Sequence, residues 1–206
     1  MSVFPLPEEI EKACTNMPLF PLPRVVFFPG AILRLHVFEP RYVQLLADSL
    51  EGNHMFAIPM LDMQDLDVLK PKIFPVAGFG KVIHCEEAPE NRYNIVMLGV
   101  GRIRIEQEQI VDRLYRVATS TLLSEEDDNF DIRPIKQLFT QIIIGNPSLS
   151  SSLTPLLEES YSPRQFLYTL AQLLLPSAEE KQQFLSTESI CMQEELLTEK
   201  LAEALL

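Results

Sequence analysis

Short apolar runs separated by turn-forming residues fill the first half of the chain, and helical spacing takes over in the second. The runs span residues 25–28, 32–37, 56–61, 76–83, 93–100, 103–110 and 115–123. Each is short and rich in Val, Ile, Phe or Tyr, which predicts strands. Arg102-Ile-Arg-Ile-Glu-Gln alternates polar and apolar, the period of a strand with one buried face and one wet face. This spacing favours a small barrel or sandwich over a doubly wound sheet. One helix interrupts the strands. Pro40 suits a first helical position, where its missing N–H has no intrahelical partner to lose. Tyr42, Val43, Leu45, Leu46 and Leu50 then recur at helical spacing, and Gly52 supplies a C-terminal stop.

Ser124-Glu-Glu-Asp-Asp-Asn129 is acidic and poor in strand formers, as a linker is. Beyond it Ile132, Ile135, Leu138, Phe139, Ile142 and Ile143 follow the three-and-four spacing of an amphipathic helix, closed by Gly145 and Pro147. Residues 149–159 are expected to form a second helix. Ser162-Pro163 is a cap with a first-turn proline, opening a third helix over 164–175. Ser177-Ala-Glu-Glu180 is a capping box ahead of Phe184 and Leu185. Ile190, Leu197, Leu201 and Leu205 form one stripe of the last helix. The expected class is α+β: a β domain, barrel or sandwich, over 1–124 with one inserted helix, an acidic linker at 125–130, and a helical bundle over 131–206. Of the sixteen prolines, eleven precede residue 100, in keeping with that division.

Charge narrows the function classes. The net charge is −12, and Lys+Arg number 12 against 19 Asp+Glu up to residue 130, then 5 against 10, so neither half is basic. Nucleic-acid binding needs a cationic surface to neutralise phosphates, and the nearest approach to one is Arg102 with Arg104. No run of eighteen apolar residues marks a membrane span, and Glu8, Glu9 and Glu11 are wrong for a signal peptide. A cytoplasmic location is the default expectation. Cys14, Cys85 and Cys191 are odd in number and far apart, which suggests free thiols rather than a disulfide framework or a zinc site.

Motifs for catalysis are weak. Gly80-Lys81 is followed by Val82 where a phosphate loop needs Ser or Thr, and Pro75 stands where its first glycine belongs. Gly78-Phe-Gly80 and Gly99-Val-Gly101 read better as turns or bulges. His36, His54 and His84 lack partners at ligand spacing, and Asp62, Asp65 and Asp67 lack the glycine and distal glutamate of a calcium loop. Glu86-Glu87 near Glu90 reads as a charged hairpin connection. No Gly-x-Ser-x-Gly elbow occurs, and residues 148–152 read as a polar helix start. The expectation is a non-catalytic protein with no cofactor and no bound metal.

One stretch is more distinctive. Met17-Pro-Leu-Phe-Pro-Leu-Pro-Arg-Val-Val-Phe-Phe-Pro-Gly30 runs on to Phe38-Glu-Pro-Arg-Tyr42. It resembles the start of the N-terminal, substrate-binding domain of Lon proteases. Arg92-Tyr-Asn-Ile-Val-Met-Leu-Gly-Val-Gly-Arg-Ile-Arg-Ile105 is similar to that family's strand pair, with Gly99 and Arg102 at the spacing of its Gly-x-x-Arg turn. Tyr115-Arg-Val-Ala-Thr is similar to the following strand, and Leu173-Leu-Leu-Pro-Ser-Ala-Glu-Glu-Lys-Gln-Gln-Phe-Leu185 to a later helix-turn-helix. The resemblance implies a PUA-like pseudobarrel followed by a helical bundle, and a part in recognising unfolded or tagged protein substrates. Leu206 comes ahead of where ATPase and protease domains would begin, so a standalone bacterial-type module without the family's catalytic serine and lysine is expected.

The signature residues read first as scaffold. Pro21, Pro23 and Pro29 pin an extended chain, and Gly30 permits a turn. Phe38 and Tyr42 are expected to pack the helix opening at Pro40 onto the barrel, with Glu39 and Arg41 forming ion pairs or capping backbone groups. The functional alternative makes Met17, Phe20, Phe27 and Phe28 the lining of an apolar groove. Such a groove would accept unfolded or exposed segments of client proteins and pass them to a protease or chaperone. The runner-up is an RNA-associated module, which requires Arg24, Arg34, Arg102 and Arg104 to converge on one face. A third reading is a small-molecule sensor with a pocket between the two parts.

Overall fold

Glycines on two long strands determine how the first half of the chain closes on itself. In the computed structural model, which describes residues 5–65, 67, 70–123, 130–145 and 162–204, the chain divides into two compact units, Met1–Ser124 and Glu125–Leu206. The first contains α1 (Pro7–Thr15), β1 (Met17–Leu19), β2 (Ile32–Val37), α2 (Pro40–Glu51), β3 (Met55–Ile58), β4 (Val76–Ala88), β5 (Arg92–Glu108) and β6 (Arg116–Leu122). The strand order is β2-β5-β4-β3-β1-β6, and β6 pairs again with β5. Five strands therefore form a closed ring, and β2 lies outside it. β1 and β3 run parallel; the other pairs are antiparallel.

β5 makes the closure possible by changing partners along one edge. Its residues Tyr93 to Leu98 pair with β2, and Ile103 to Glu108 pair with β6. Gly99 and Gly101 lie at the change, where the register with β4 slips and Val100 has no residue opposite it. The break expected at Gly99-Val-Gly101 is thus a bulge inside one 17-residue strand, not a turn between two. A bulge bends and twists its strand, which is what redirecting β5 from β2 to β6 requires.

Residues 25–28, expected as a strand, carry no ladder. They cross β4 and β5 where both lack side chains. A Cβ on Gly78 would stand 1.6 Å from the Phe27 carbonyl oxygen, and one on Gly99 would stand 2.2 Å from that of Phe28. Gly30, at φ +77°, turns the chain and donates its N–H to the Gly99 carbonyl at 3.0 Å; the Gly99 N–H donates to Ala31 at 2.8 Å. A β-branched or bulky residue would strain that backbone conformation.

Two apolar clusters fill the unit. β3 is buried on both faces because alternation sends Phe56 and Ile58 to one cluster and Met55 and Ala57 to the other. Phe20, Phe27, Tyr42, Leu45 and Leu46 join the first, while Met17, Leu19, Phe79 and Ile103 join the second. The pattern at Pro40 predicts α2 and its stop at Gly52 correctly. It misses α1, whose Glu8 and Glu9 belong to a first helical turn; the Glu9 carboxylate accepts the Leu6 N–H at 2.8 Å. Glu86 and Glu87 lie on β4 itself, and Glu90 and Asn91, at φ 64° and 54°, form the hairpin turn.

The second unit contains α3 (Arg133–Gly145), α4 (Pro163–Leu174), α5 (Ala178–Ser186) and α6 (Ile190–Ala204) among the described residues. The expected helix at 149–159, residues 148–152 and the acidic stretch 124–129 lie outside them. Ser162 caps α4 by accepting the Gln165 N–H, and Ser177 caps α5 by accepting that of Glu180. Phe139 on α3 meets Phe166 on α4 edge-on at 5.9 Å between ring centroids. Gln193 on α6, fully buried, donates to the carbonyls of Phe184 and Thr187, both at 3.0 Å, and accepts from Arg164 at 3.3 Å. It ties the start of α4 to the end of α5.

Three stability measurements follow. Gly78→Ala drives a methyl into the Phe27 carbonyl and should lower unfolding free energy by about 3 kcal/mol or more. Gly52→Ala meets only ordinary contacts at 3.5 Å, so it should change stability by less than about 1 kcal/mol. Gln193→Ala removes a fully buried amide that donates to two carbonyls and accepts from Arg164, so urea melts should show a loss of about 1–3 kcal/mol.

Candidate functional site

After β1 the chain continues beside β3 without becoming a strand. The Phe20 N–H donates to Ala57 at 2.9 Å, the Leu22 N–H to Pro59 at 3.1 Å, and the Leu61 N–H returns a bond to Leu22 at 3.0 Å. Pro21 and Pro23 have no N–H to contribute, so alternate positions stay extended without pairing. Against this stretch stands the start of α2. Tyr42 stacks on Phe20 at 3.8 Å between ring centroids and directs its hydroxyl to the Pro21 carbonyl at 3.4 Å. Arg41 lies over the Tyr42 ring at 4.5 Å, and its Nε donates to Glu39 at 2.9 Å. The expected ion pair of Glu39 with Arg41 is present.

The opposite wall comes from the entry to β6. Leu114 is anchored by its N–H, which donates to Gln44 of α2 at 2.8 Å. Arg116 forks onto the Glu108 carboxylate and donates through Nη1 to the Pro71 carbonyl at 2.9 Å; Lys70 reaches the same carboxylate at 3.1 Å. Together these walls enclose a groove of about 380 Å³, floored by Leu19, Pro21, Leu22 and Tyr42 and rimmed by Arg41, Lys70, Leu114 and Arg116. Tyr115 also lines a larger hollow of about 700 Å³ whose walls include Glu9, Lys12, Asp48, Met55, Arg113 and Val117.

The electrostatics hold the walls rather than prepare a reaction. Burial pushes the Tyr115 phenol up, and its hydrogen bond to Asp48 at 2.7 Å adds to the effect, bringing it to about 12. The phenol therefore remains a neutral donor at ordinary pH. Burial also raises the Cys14 and Cys85 thiols and the Tyr42 phenol, away from their nucleophilic forms. For Glu108, burial raises the carboxyl, but the hydrogen bonds from Arg116 and Lys70 outweigh it and hold the group below its usual value. Among the described residues no three His, Cys, Asp or Glu side chains cluster as metal ligands, and no helix is long and apolar enough to cross a membrane.

The expected groove residues lie elsewhere. Met17, Phe20, Phe27 and Phe28 are core residues, exposed by 0, 5, 2 and 0%. Phe27 and Phe28 are pressed onto bare glycine backbone, and Met17 and Phe20 pack into the two apolar clusters, so all four side chains are taken up by the core. Pro29 is buried, Gly30 is exposed, and Gly99 lies beneath Phe28. Phe38 does not pack α2 onto the sheet; it is 59% exposed, since Val37 before it turns inward and alternation turns Phe38 out. Pro40 takes the first helical position, as expected. Arg102 is fully buried, so the four arginines of the RNA reading do not share a solvent-facing surface, although Arg24 and Arg34 are exposed. Lys70, Pro71, Leu114 and Arg116 were absent from the expected site. Only the exposed apolar residues at the Ile110–Leu114 turn hinted at it, and nothing local points them toward Pro21.

The Glu108 clamp has a pH signature. Its folded carboxyl is held low, so its stabilising effect is complete above the ordinary carboxylate range and is lost as pH falls through the depressed value. Melting temperatures of wild type and Glu108→Gln should differ at neutral pH and converge in acid; a constant difference across that range would refute the clamp.

Similarity to known proteins bears on the fold and the family. Among solved structures, the Lon N-terminal domain protein from Xanthomonas campestris matches with a TM-score of 0.68 and 22% identity, covering 90% of this chain and 98% of that one. The N-terminal domain of Mycobacterium avium complex Lon protease matches at 0.71 with 10% identity, covering 91% and 98%. These likenesses establish the α+β fold. The Lon protease of Flavobacterium johnsoniae is 23% identical over 184 residues, covering 85% of this chain and 22% of that protein. That of Anaeromyxobacter dehalogenans is 23% identical over 191 residues, covering 90% and 23%. The chain thus spans under a quarter of the length of these relatives. Residues 16–203 match the model of the ATP-dependent protease La (Lon) substrate-binding domain, and the chain belongs to that family.

Proposed function

We propose that the first unit is a non-catalytic recognition module that binds exposed or unfolded segments of client proteins in the groove between Pro21–Pro23, α2 and the entry to β6. One observation carries this reading. The groove has an apolar floor of Leu19, Pro21, Leu22 and Tyr42, and Leu114 at its rim is 65% exposed, while charged side chains around it are held in ion pairs. An apolar floor takes up side chains that folded proteins hide, and rigid walls lower the ordering cost of binding. The family's description as substrate-binding supports the same reading. In this view the closed ring is a PUA-like pseudobarrel over 1–124, and residues 131–206 form a helical bundle joined to it by the acidic linker. The module acts in the cytoplasm and hands its clients to a protease or chaperone.

The test uses a fluorescently labelled, permanently unfolded protein, such as reduced and carboxymethylated α-lactalbumin, read by anisotropy. The wild-type chain should bind it and not its folded parent. Leu114→Glu changes an exposed residue, so the melting temperature should hold while binding weakens about tenfold or more. Absence of wild-type binding, or full binding by Leu114→Glu, would sink the groove.

A further inference from the structure

Among the described strands, every one except β2 has a strand neighbour on both sides, although β3 flanks β4 only from Gly78 to Lys81. β2 pairs only with β5, in unbroken register from Ile32 opposite Leu98 to Val37 opposite Tyr93. The bonds at its start set the alternation. Gly99 exchanges bonds with Gly30 and Ala31, so Leu33, Leu35 and Val37 turn their N–H and C=O groups toward β5. Ile32, Arg34 and His36 turn theirs outward, and no helix or loop of the described residues bonds to that row. β2 has neither a proline nor a bulge, two devices that block pairing at an exposed edge.

We propose that β2 takes up an extended segment of a client polypeptide as an added strand, bonded through the outward backbone groups of Ile32, Arg34 and His36. The inference rests on the reading of this unit as a binder of protein segments, and gives it a second mode of capture. Main-chain bonding is indifferent to most side chains, which suits a binder of varied unfolded clients. The flanking side chains set a preference. Leu33 and Leu35 are half-buried beside the core, so residues added next to them are apolar. Arg34 and His36 are exposed on the other face, so residues added there are acidic. The favoured occupant is an extended segment alternating apolar and acidic residues. At its far end β2 leads through exposed Phe38 to Glu39 and Arg41, which line the groove.

Amide exchange followed by NMR on the full chain tests this, with a synthetic peptide of alternating Val and Glu as the probe. In the free protein the amides of Ile32, Arg34 and His36 should exchange quickly. The peptide should slow those three, and a version N-methylated at alternate residues should not. Arg34→Pro removes one outward donor while sparing the ladder to β5, and should weaken binding about tenfold, whereas Arg34→Ala should cost about threefold or less. Peptide binding without protection of the three amides, or equal binding by the proline and alanine variants, would overturn the added strand while leaving the groove intact. Protection that grows with protein concentration in the absence of peptide would also overturn it, since the occupant would then be a second copy. If the proline variant does not fold, the exchange pattern decides. Failure of the wild type to bind either this peptide or the unfolded protein would instead refute the recognition module itself.

Discussion

The first unit depends on one close approach: the backbone of Phe27 and Phe28 laid directly on Gly78 and Gly99. No side chain fits between these strands and the crossing segment, since a Cβ at either glycine would collide with a carbonyl oxygen. The approach places the Phe27 ring and its neighbours in one apolar cluster and brings Gly30 within bonding distance of Gly99. It also lies where β5 bulges and exchanges β2 for β6. Closing a ring of short strands demands such a bend, and the glycines supply it where a covering segment can hold it.

The surface features follow from that geometry. Because β5 leaves β2 behind to pair with β6, β2 keeps one edge open along its whole length while each other described strand has a neighbour on both sides. Because the chain after β1 is rich in proline, it lies beside β3 without continuing as a ladder, and the space between it, α2 and the start of β6 becomes a groove. Ion pairs then fix the rim. Arg116 and Lys70 share Glu108, and Arg41 is held by Glu39, so the cations around the groove are oriented and largely neutralised. Such a surface favours apolar contact over charge steering, which fits the proposed recognition of protein segments by a chain of net charge −12.

How much of this was legible in the sequence depended on the range of the interaction. β2, α2 and the serine caps of α4 and α5 rest on local spacing and capping chemistry, and they lie where the pattern placed them. The Gly99-Val-Gly101 break was visible, but a bulge and a turn leave the same local signature, and only pairing with β4 separates them. Residues 25–28 look like a strand because an apolar crossing segment has a strand's composition. Met17, Phe20, Phe27 and Phe28 attracted a binding role because aromatic density is visible in sequence, whereas burial on both faces is not. The groove was beyond reach: Pro21, Tyr42, Pro71 and Leu114 meet only through the closed ring.

Native-state hydrogen exchange at Gly30 and Gly99 tests the governing contact most directly, because their amides form the two bonds that join the crossing segment to β5. If the crossing holds the ring closed, both amides exchange only through global unfolding, with the same free energy and denaturant dependence as the most protected amides of β4. Exchange of Gly30 and Gly99 through a low-energy local opening, with β4 and the far half of β5 still fully protected, would contradict the account.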